Sequence, residues 1–215
     1  MTTWATLKAQ IGRKVNNPQM NRPEIIASAL DNANDGLRLI ATMHTGVASQ
    51  VEIVGDGETA QFPIPTNCIN SEHTGIYAIY DTDNEVYLRE TTCIPGDEKE
   101  EGFNLWPSGY ITFNPVPDEG NSLVVYYVAY YDELLDDSSV ITLPPWAIEP
   151  LKLYTCGRVL EDAASKMALL GEFRTKVDSG TPESQPILTL SKHYIKEFWD
   201  ILNSHPAPQY DRLHS

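Results

Sequence analysis

Three acidic residues in a short polar turn are the first group in this 215-residue sequence that could bind a metal ion. Asp81, Asp83 and Glu85 alternate along the chain as ligands do at the start of an EF-hand calcium loop. Such a loop also needs glycine at its sixth position, for the sharp turn, and glutamate at its twelfth, for bidentate binding. Val86 and Thr92 occupy those positions here. The pattern therefore favours a solvated turn, and we predict no metal and no cofactor.

Adjacent carboxylates are the second group whose chemistry has to be considered, because a hydrolase can use two of them as acid and base. Three pairs occur in polar segments: Glu100-Glu101, Asp132-Glu133 and Asp136-Asp137. Neighbours in exposed loops lack the apolar pocket that raises the pKa of one carboxyl group. The histidines show no metal-ligand spacing, and the chain contains neither a Gly-x-Ser-x-Gly elbow nor a P-loop. We predict that the protein is not an enzyme, with a carboxylate hydrolase as one alternative.

The acidic residues are concentrated in one part of the chain. The whole sequence has 30 acidic and 15 basic residues, a net charge of -15. Residues 51–137 contain 18 of the acids and two bases, Arg89 and Lys99, for a net charge of -16. Self-repulsion of that size opposes folding, so it indicates a surface that must repel something negative; an acidic face kept for solubility is the alternative. The charge argues against binding of nucleic acid through neutralised phosphates.

The cysteines and the apolar segments indicate the cellular compartment in which the protein folds. Cys68, Cys93 and Cys156 are widely spaced and form neither a disulfide framework nor a CxxC metal pair. No apolar run reaches the roughly 18–20 residues that a spanning helix needs, and the polar N-terminus has no signal-peptide core. We expect a protein that folds in a reducing compartment and does not contact a membrane.

Helical periodicity is found at both ends of the chain. Residues 1–48 contain two amphipathic segments, and Asn21 followed by Arg22-Pro23-Glu24 is a typical start for the second helix. A long helix is predicted after Pro144-Pro145, with its regular part beginning at Pro150 because proline is strained in a helix interior. A last helix is predicted from about Pro186 to Asn203.

Between these helices the sequence contains runs of β-branched and aromatic residues separated by turn clusters, a pattern typical of β-strands. The predicted strands cover residues 51–54, 59–64, 75–80, 86–91, 110–113 and 123–131, and residues 95–102 have the composition of an exposed loop. We predict an α+β protein in which residues 1–48 and 138–204 form a helical bundle. Residues 49–137 would form an acidic insertion, a small antiparallel β-sandwich or barrel, and residues 205–215 an extended C-terminal arm.

Four phrases of the sequence carry a family resemblance. Residues 29–33 read Ala-Leu-Asp-Asn-Ala, residues 54–64 and 111–120 are hairpin phrases containing Gly-Asp-Gly and Pro-Asp-Glu-Gly, and residues 143–151 read Leu-Pro-Pro-Trp-Ala-Ile-Glu-Pro-Leu. With the order helix, helix, acidic β insertion, helix, helix and tail, they resemble the head–tail adaptor (connector or neck) proteins of tailed bacteriophages. The insertion is larger, and the tail less basic, than in the simplest members.

The resemblance implies a structural protein of the virion neck, made in the cytoplasm of a bacterial host. It would form a ring, usually of twelve copies, between the portal protein and the next neck or tail protein, and genomic DNA would pass through the ring without specific binding. The portal-binding residues of the arm would be Gln209, Tyr210, Arg212, Leu213 and His214. The acids lining the channel would be Glu98, Glu100 and Glu101. The alternatives are another neck or tail component, such as a head-closure or tail-terminator protein, and an acidic β-rich binding module.

Overall fold

The computed structural model of the chain describes residues 2–15, 23–43, 46–69, 75–91, 101–105, 109–174 and 184–205. These residues form a mixed α+β fold, which confirms the predicted class, and their strands pair in antiparallel sheets. The helices are α1 (Trp4–Lys14), α2 (Pro23–Met43), α3 (Ile148–Arg174) and α4 (Ser184–Ser204). The strands are β1 (Thr2–Thr3), β2 (Val47–Val54), β3 (Gln61–Pro63), β4 (Ile76–Asp81), β5 (Val86–Tyr87), β6 (Gly102–Asn104), β7 (Tyr110–Asn114), β8 (Ser122–Ala129) and β9 (Val140–Ile141).

The described residues divide into two compact units. The helical unit comprises those within residues 1–44 and 131–207, and the β unit those within residues 45–130. Four acids near the end of the predicted insertion therefore lie in the helical unit: Asp132, Glu133, Asp136 and Asp137. Within the described residues, no helix combines the length and the apolar composition that crossing a membrane requires.

Helix α3 packs against the other three helices of the helical unit. It begins at Ile148, directly after a 3-10 turn at Pro145–Ala147. Pro150 lies in the first turn, where backbone N–H groups have no partner within the helix, so its missing N–H costs no hydrogen bond. The helix therefore starts before Pro150, and the prediction that its regular part begins at that proline is wrong.

The helical spacing of residues such as Leu151, Thr155 and Val159 predicts one apolar side for α3, but burial extends beyond that side. Leu151, Thr155 and Val159 of the predicted side are buried. Other buried residues of α3 are Leu153, Tyr154, Cys156 and Leu160. A helix with neighbours on several sides is buried nearly all round, and the packing of α1, α2 and α4 on α3 gives it that environment.

The β unit contains a four-stranded sheet of order β2-β8-β4-β5 and a three-stranded sheet of order β3-β7-β6. Side chains from both sheets share one core, with Ile79, Ile111 and Val125 fully buried. The predicted strand 86–91 is divided between them: β5 pairs with β4, and then Thr91 N donates to Phe103 O of β6 at 2.7 Å. Within the predicted loop 95–102, residues 95–100 lie outside the described residues, while Gly102 begins strand β6.

Candidate functional site

One end of the four-stranded sheet brings together three turns that are far apart in the sequence. Strand β2 ends at Val54 opposite Ser122, the first residue of β8, and β4 ends at Asp81 opposite Leu123. The antiparallel order β2-β8-β4 therefore places the turns at residues 55–59, 81–85 and 117–121 side by side. We call these three turns the acidic end.

Backbone hydrogen bonds hold the first and third turns against each other. Gly55 N donates to Asn121 O at 2.8 Å, Gly120 N donates to Gly55 O at 2.9 Å, and Gly57 N donates to Pro117 O at 3.2 Å. A side chain at residue 55 would not fit, because its Cβ would lie 2.3 Å from the Asp118 carbonyl oxygen. The close approach of the two turns thus requires glycine at that position.

The second turn is joined to the same end through β8. Thr82 donates to the Ser122 carbonyl oxygen from its backbone N–H at 3.0 Å and from its hydroxyl at 2.8 Å. Asn121 Nδ2 donates to Asp81 Oδ2 at 3.2 Å. Asn121 therefore contacts both of the other turns, by its backbone and by its side chain.

The acidic end carries seven carboxylates and no basic residue. They are Asp56, Glu58, Asp81, Asp83, Glu85, Asp118 and Glu119. All of them are exposed except Asp81, of which 5% is accessible. Fixed charges of one sign close together make a strong local negative potential, which no neighbouring Lys or Arg in these turns reduces.

Asp56 is held in its ionised form by the turn that it organises. Its carboxylate accepts hydrogen bonds from Thr59 Oγ1 at 2.5 Å, from Thr59 N at 2.6 Å and from Glu58 N at 2.9 Å. These bonds, that of the Thr59 hydroxyl foremost, lower the pKa of Asp56 from 3.8 to about 2. Asp56 thus keeps its negative charge well below neutral pH.

Asp81 is the buried carboxylate of the group. Burial alone would raise its pKa, but hydrogen bonds outweigh that effect and lower the pKa below its usual value. The donors are Asn84 Nδ2 at 2.9 Å, Asp83 N at 3.0 Å, Asn84 N at 3.1 Å and Asn121 Nδ2 at 3.2 Å. Its oxygens are therefore taken by donors of the protein, as in a structural turn.

These properties suit the acidic end to repelling anions better than to binding a ligand. Among the residues that the structure describes, no three His, Cys, Asp or Glu side chains are placed to hold a metal ion. The remaining acids are exposed to water, without an apolar pocket built around them. The surface can repel anions such as nucleic-acid phosphates, and nothing in its composition would attract them.

The site residues predicted from the sequence lie elsewhere or cannot be placed. Glu101 is exposed and precedes β6. Glu98 and Glu100 are outside the described residues, as are the residues of the predicted portal-binding arm: Gln209, Tyr210, Arg212, Leu213 and His214. The sequence marked each of the three turns as polar and acidic, but it did not reveal that they meet, because that depends on the strand order.

Comparison with known proteins assigns no family to this chain: no protein-family model matches it, and no curated protein matches it. The charges and contacts of the described residues are thus the basis on which a function can be proposed.

Proposed function

We propose that this chain is a head–tail adaptor of a tailed bacteriophage. In this role it is a non-enzymatic structural protein of the virion neck that forms a ring beneath the portal and joins it to the next neck or tail protein. The ring contains twelve copies, as in most proteins that the sequence resembles. It surrounds the path of the genome without binding it specifically.

The acidic end is the observation that carries the proposal. A channel for DNA must not hold the duplex, and seven carboxylates without a base offer phosphates no counterion release. At physiological ionic strength the repulsion acts over about 8 Å, which is enough to keep a duplex off the wall of a narrow tube. Hydrogen bonds lower the pKa of Asp56 to about 2 and also lower that of Asp81, so both shifts favour the charged form.

The proposed architecture is a helical bundle from both chain ends that carries a β-sandwich or barrel and an extended C-terminal arm. Packing of α1, α2 and α4 on α3 supports the bundle. A common core of the two sheets supports a sandwich or barrel. Glu98, Glu100 and Glu101 stay proposed channel acids in addition to those of the acidic end, and the arm stays the proposed portal-binding segment.

The test is made on particles. Virions of the source phage are purified on a gradient, their proteins are identified by mass spectrometry, and the neck is averaged by cryo-electron microscopy. We expect this chain as a ring directly below the portal with the acidic end toward the axis. A ring at another level of the neck would favour a head-closure or tail-terminator protein. Absence from virions would overturn the proposal and favour the acidic binding module.

The arm gives a second prediction. Deletion of residues 206–215 should leave the helical and β units folded, because both have their buried cores within residues 2–205. It should abolish co-sedimentation with purified portal rings. A variant with a Gly–Ser segment of equal length in place of residues 206–215 is the matched control, and it should also fail to bind. Unchanged binding by the deletion variant would remove the arm from the portal contact.

A further inference from the structure

A loop in the helical unit is ordered by many hydrogen bonds although it has no regular secondary structure. We call residues 132–139, between Tyr131 and β9, the Leu135 loop. Ser139 Oγ accepts from Leu135 N at 3.0 Å and from Asp136 N at 3.1 Å. The Asp136 carboxylate accepts from Ser138 N at 2.8 Å. The backbone on both sides of Leu135 is therefore fixed from within the loop.

Helices α1 and α2 fix the same loop from outside. The side-chain amide of Asn34 in α2 makes two hydrogen bonds to the backbone of Leu134. Its Oδ1 accepts from Leu134 N at 2.8 Å, and its Nδ2 donates to Leu134 O at 3.0 Å. Lys8 Nζ of α1 pairs with the Asp137 carboxylate at 2.7 Å. Leu134 itself is 2% exposed. The loop thus has one leucine anchored in the core and the next one at the surface.

Leu135 is 77% exposed, more than any other large apolar side chain of the described residues, the next being Val54 at 57%. A single exposed leucine is ordinary on a protein surface. This one differs because the fold has already ordered its backbone, so a partner that covers it loses little conformational entropy on binding. An apolar side chain on an ordered backbone is thus suited to anchor an interface.

Charge indicates what covers Leu135. The loop contains four acids and no base; Glu133 and Asp137 pair with Arg38 and Lys8 of the same unit, which leaves the exposed Asp132 and Asp136 without a basic partner among the described residues. The other residues of the helical unit contain 11 acids and 12 bases. Residues 45–130 contain 14 acids and two bases and would repel the loop. Arg13, Lys166 and Lys192 are exposed and have no acidic partner among the described residues. The helical unit of a second copy is therefore the complementary surface that this chain itself provides.

We propose that the Leu135 loop is a self-association site: it docks on the helical unit of a neighbouring copy, with Leu135 buried and Asp132 and Asp136 against exposed cations. The inference rests on the proposed ring and assigns a surface to it. A loop that meets a different surface on the next copy makes a heterologous contact, which closes into a ring when the rotation allows.

The experiment is sedimentation velocity of the full chain over a series of protein concentrations up to about 1 mM. Such a series detects association with a dissociation constant of about 1 mM or lower. We expect the wild type to self-associate, and Leu135→Asp to weaken the association at least tenfold, as loss of an interface anchor does. Leu135→Ser should act in the same direction. Val54→Asp, at the exposed end of β2 in the β unit, is the matched control and should leave association unchanged.

Charge reversal identifies the surface that receives the loop. At least one of Arg13→Glu, Lys166→Glu and Lys192→Glu should weaken association as Leu135→Asp does, and added salt should weaken the wild type. The proposal is overturned if the wild type stays monomeric throughout the series or if Leu135→Asp associates as the wild type does. If none of the three reversals has an effect, the helical unit is not the receiving surface.

The proposed function can fail separately. If particle imaging finds no neck ring of this chain while Leu135→Asp still abolishes association, the adaptor role is wrong and the self-association site stands. If the neck ring is found but its subunits meet through other residues, the adaptor role stands and the self-association site is wrong.

Discussion

At the scale of single residues, carboxylates in the β unit have two different roles. Asp56 and Asp81 accept several hydrogen bonds each and shape the turns in which they lie. Asp83, Glu85 and Glu119 are exposed and supply charge to the same end of the sheet. Sequence alone could not separate these roles, because all five residues lie in acidic turns of similar composition. The hydrogen-bond donors around each carboxylate make the distinction.

The Thr59 hydroxyl is the largest cause of the lowered pKa of Asp56. Thr59→Val removes that donor, so we expect the Asp56 pKa to rise from about 2 toward its ordinary 3.8. Carboxyl-carbon NMR titration measures it. Since the folded-state pKa is the lower one, the stabilisation exists above the unfolded-state value and is lost as the pH falls toward 2. Thr59→Ser keeps the hydroxyl and should keep the low pKa; a low pKa in Thr59→Val would show that the backbone donors suffice.

At the scale of secondary-structure elements, local signals predicted the helices well. The Asn-Arg-Pro-Glu segment did mark the start of α2 at Pro23, and α4 covers residues 184–204 against a predicted 186–203. These signals depend on neighbours in sequence, such as caps and fixed proline φ angles. The burial of α3 on several sides was not predictable, because it depends on which helices pack around it.

The strands show the same division between local and distant information. The β-branched and aromatic residues of β8 predicted a strand there, and Leu123, Val125 and Tyr127 are buried on one of its faces. The strand order β2-β8-β4 was not predictable, because it joins segments about 40 to 80 residues apart in the chain. The candidate site exists only because of that order, so sequence analysis placed the channel acids at Glu98, Glu100 and Glu101 instead.

The crossing of α3 and α4 gives a prediction at this scale. Gly157 lies where the helices approach closely: Ser191 Oγ donates to Gly157 O at 2.8 Å, and a Cβ on residue 157 would lie 2.7 Å from Ile195 Cδ1. Alanine is the better helix former by about 1 kcal/mol, but overpacking costs about 1–3 kcal/mol. We expect Gly157→Ala to lower the free energy of unfolding by about 1 kcal/mol in urea denaturation.

A double-mutant cycle isolates the contact behind that loss. Ile195→Ala removes the atoms that the new methyl group would meet, so Gly157→Ala should cost less in that background, or become stabilising. Equal costs in both backgrounds would mean that Ile195 does not limit the approach of the two helices.

At the scale of the whole molecule, charge is divided unequally between the two units. Residues 45–130 have a net charge of -12, and within the described residues their basic member is Arg89. Seven of the acids are gathered at one end of one sheet, which concentrates repulsion there beyond what net charge alone implies. Self-repulsion among these carboxylates lowers the stability of the fold. An arrangement with that cost favours a functional role for the surface, such as keeping anions away.

Salt should relieve that self-repulsion, and the acidic end should account for much of the effect. The Debye length falls from about 30 Å to about 8 Å between 0.01 M and 0.15 M salt, so the melting temperature of the wild type should rise over that range. In the triple variant Asp83→Asn, Glu85→Gln, Glu119→Gln we expect a clearly smaller rise in calorimetry. The control Asp31→Asn, Asp35→Asn, Asp132→Asn changes net charge equally in the helical unit and should keep most of the rise. If both variants respond alike, stability depends on net charge and the gathering of acids at the end of the sheet has no electrostatic consequence of its own.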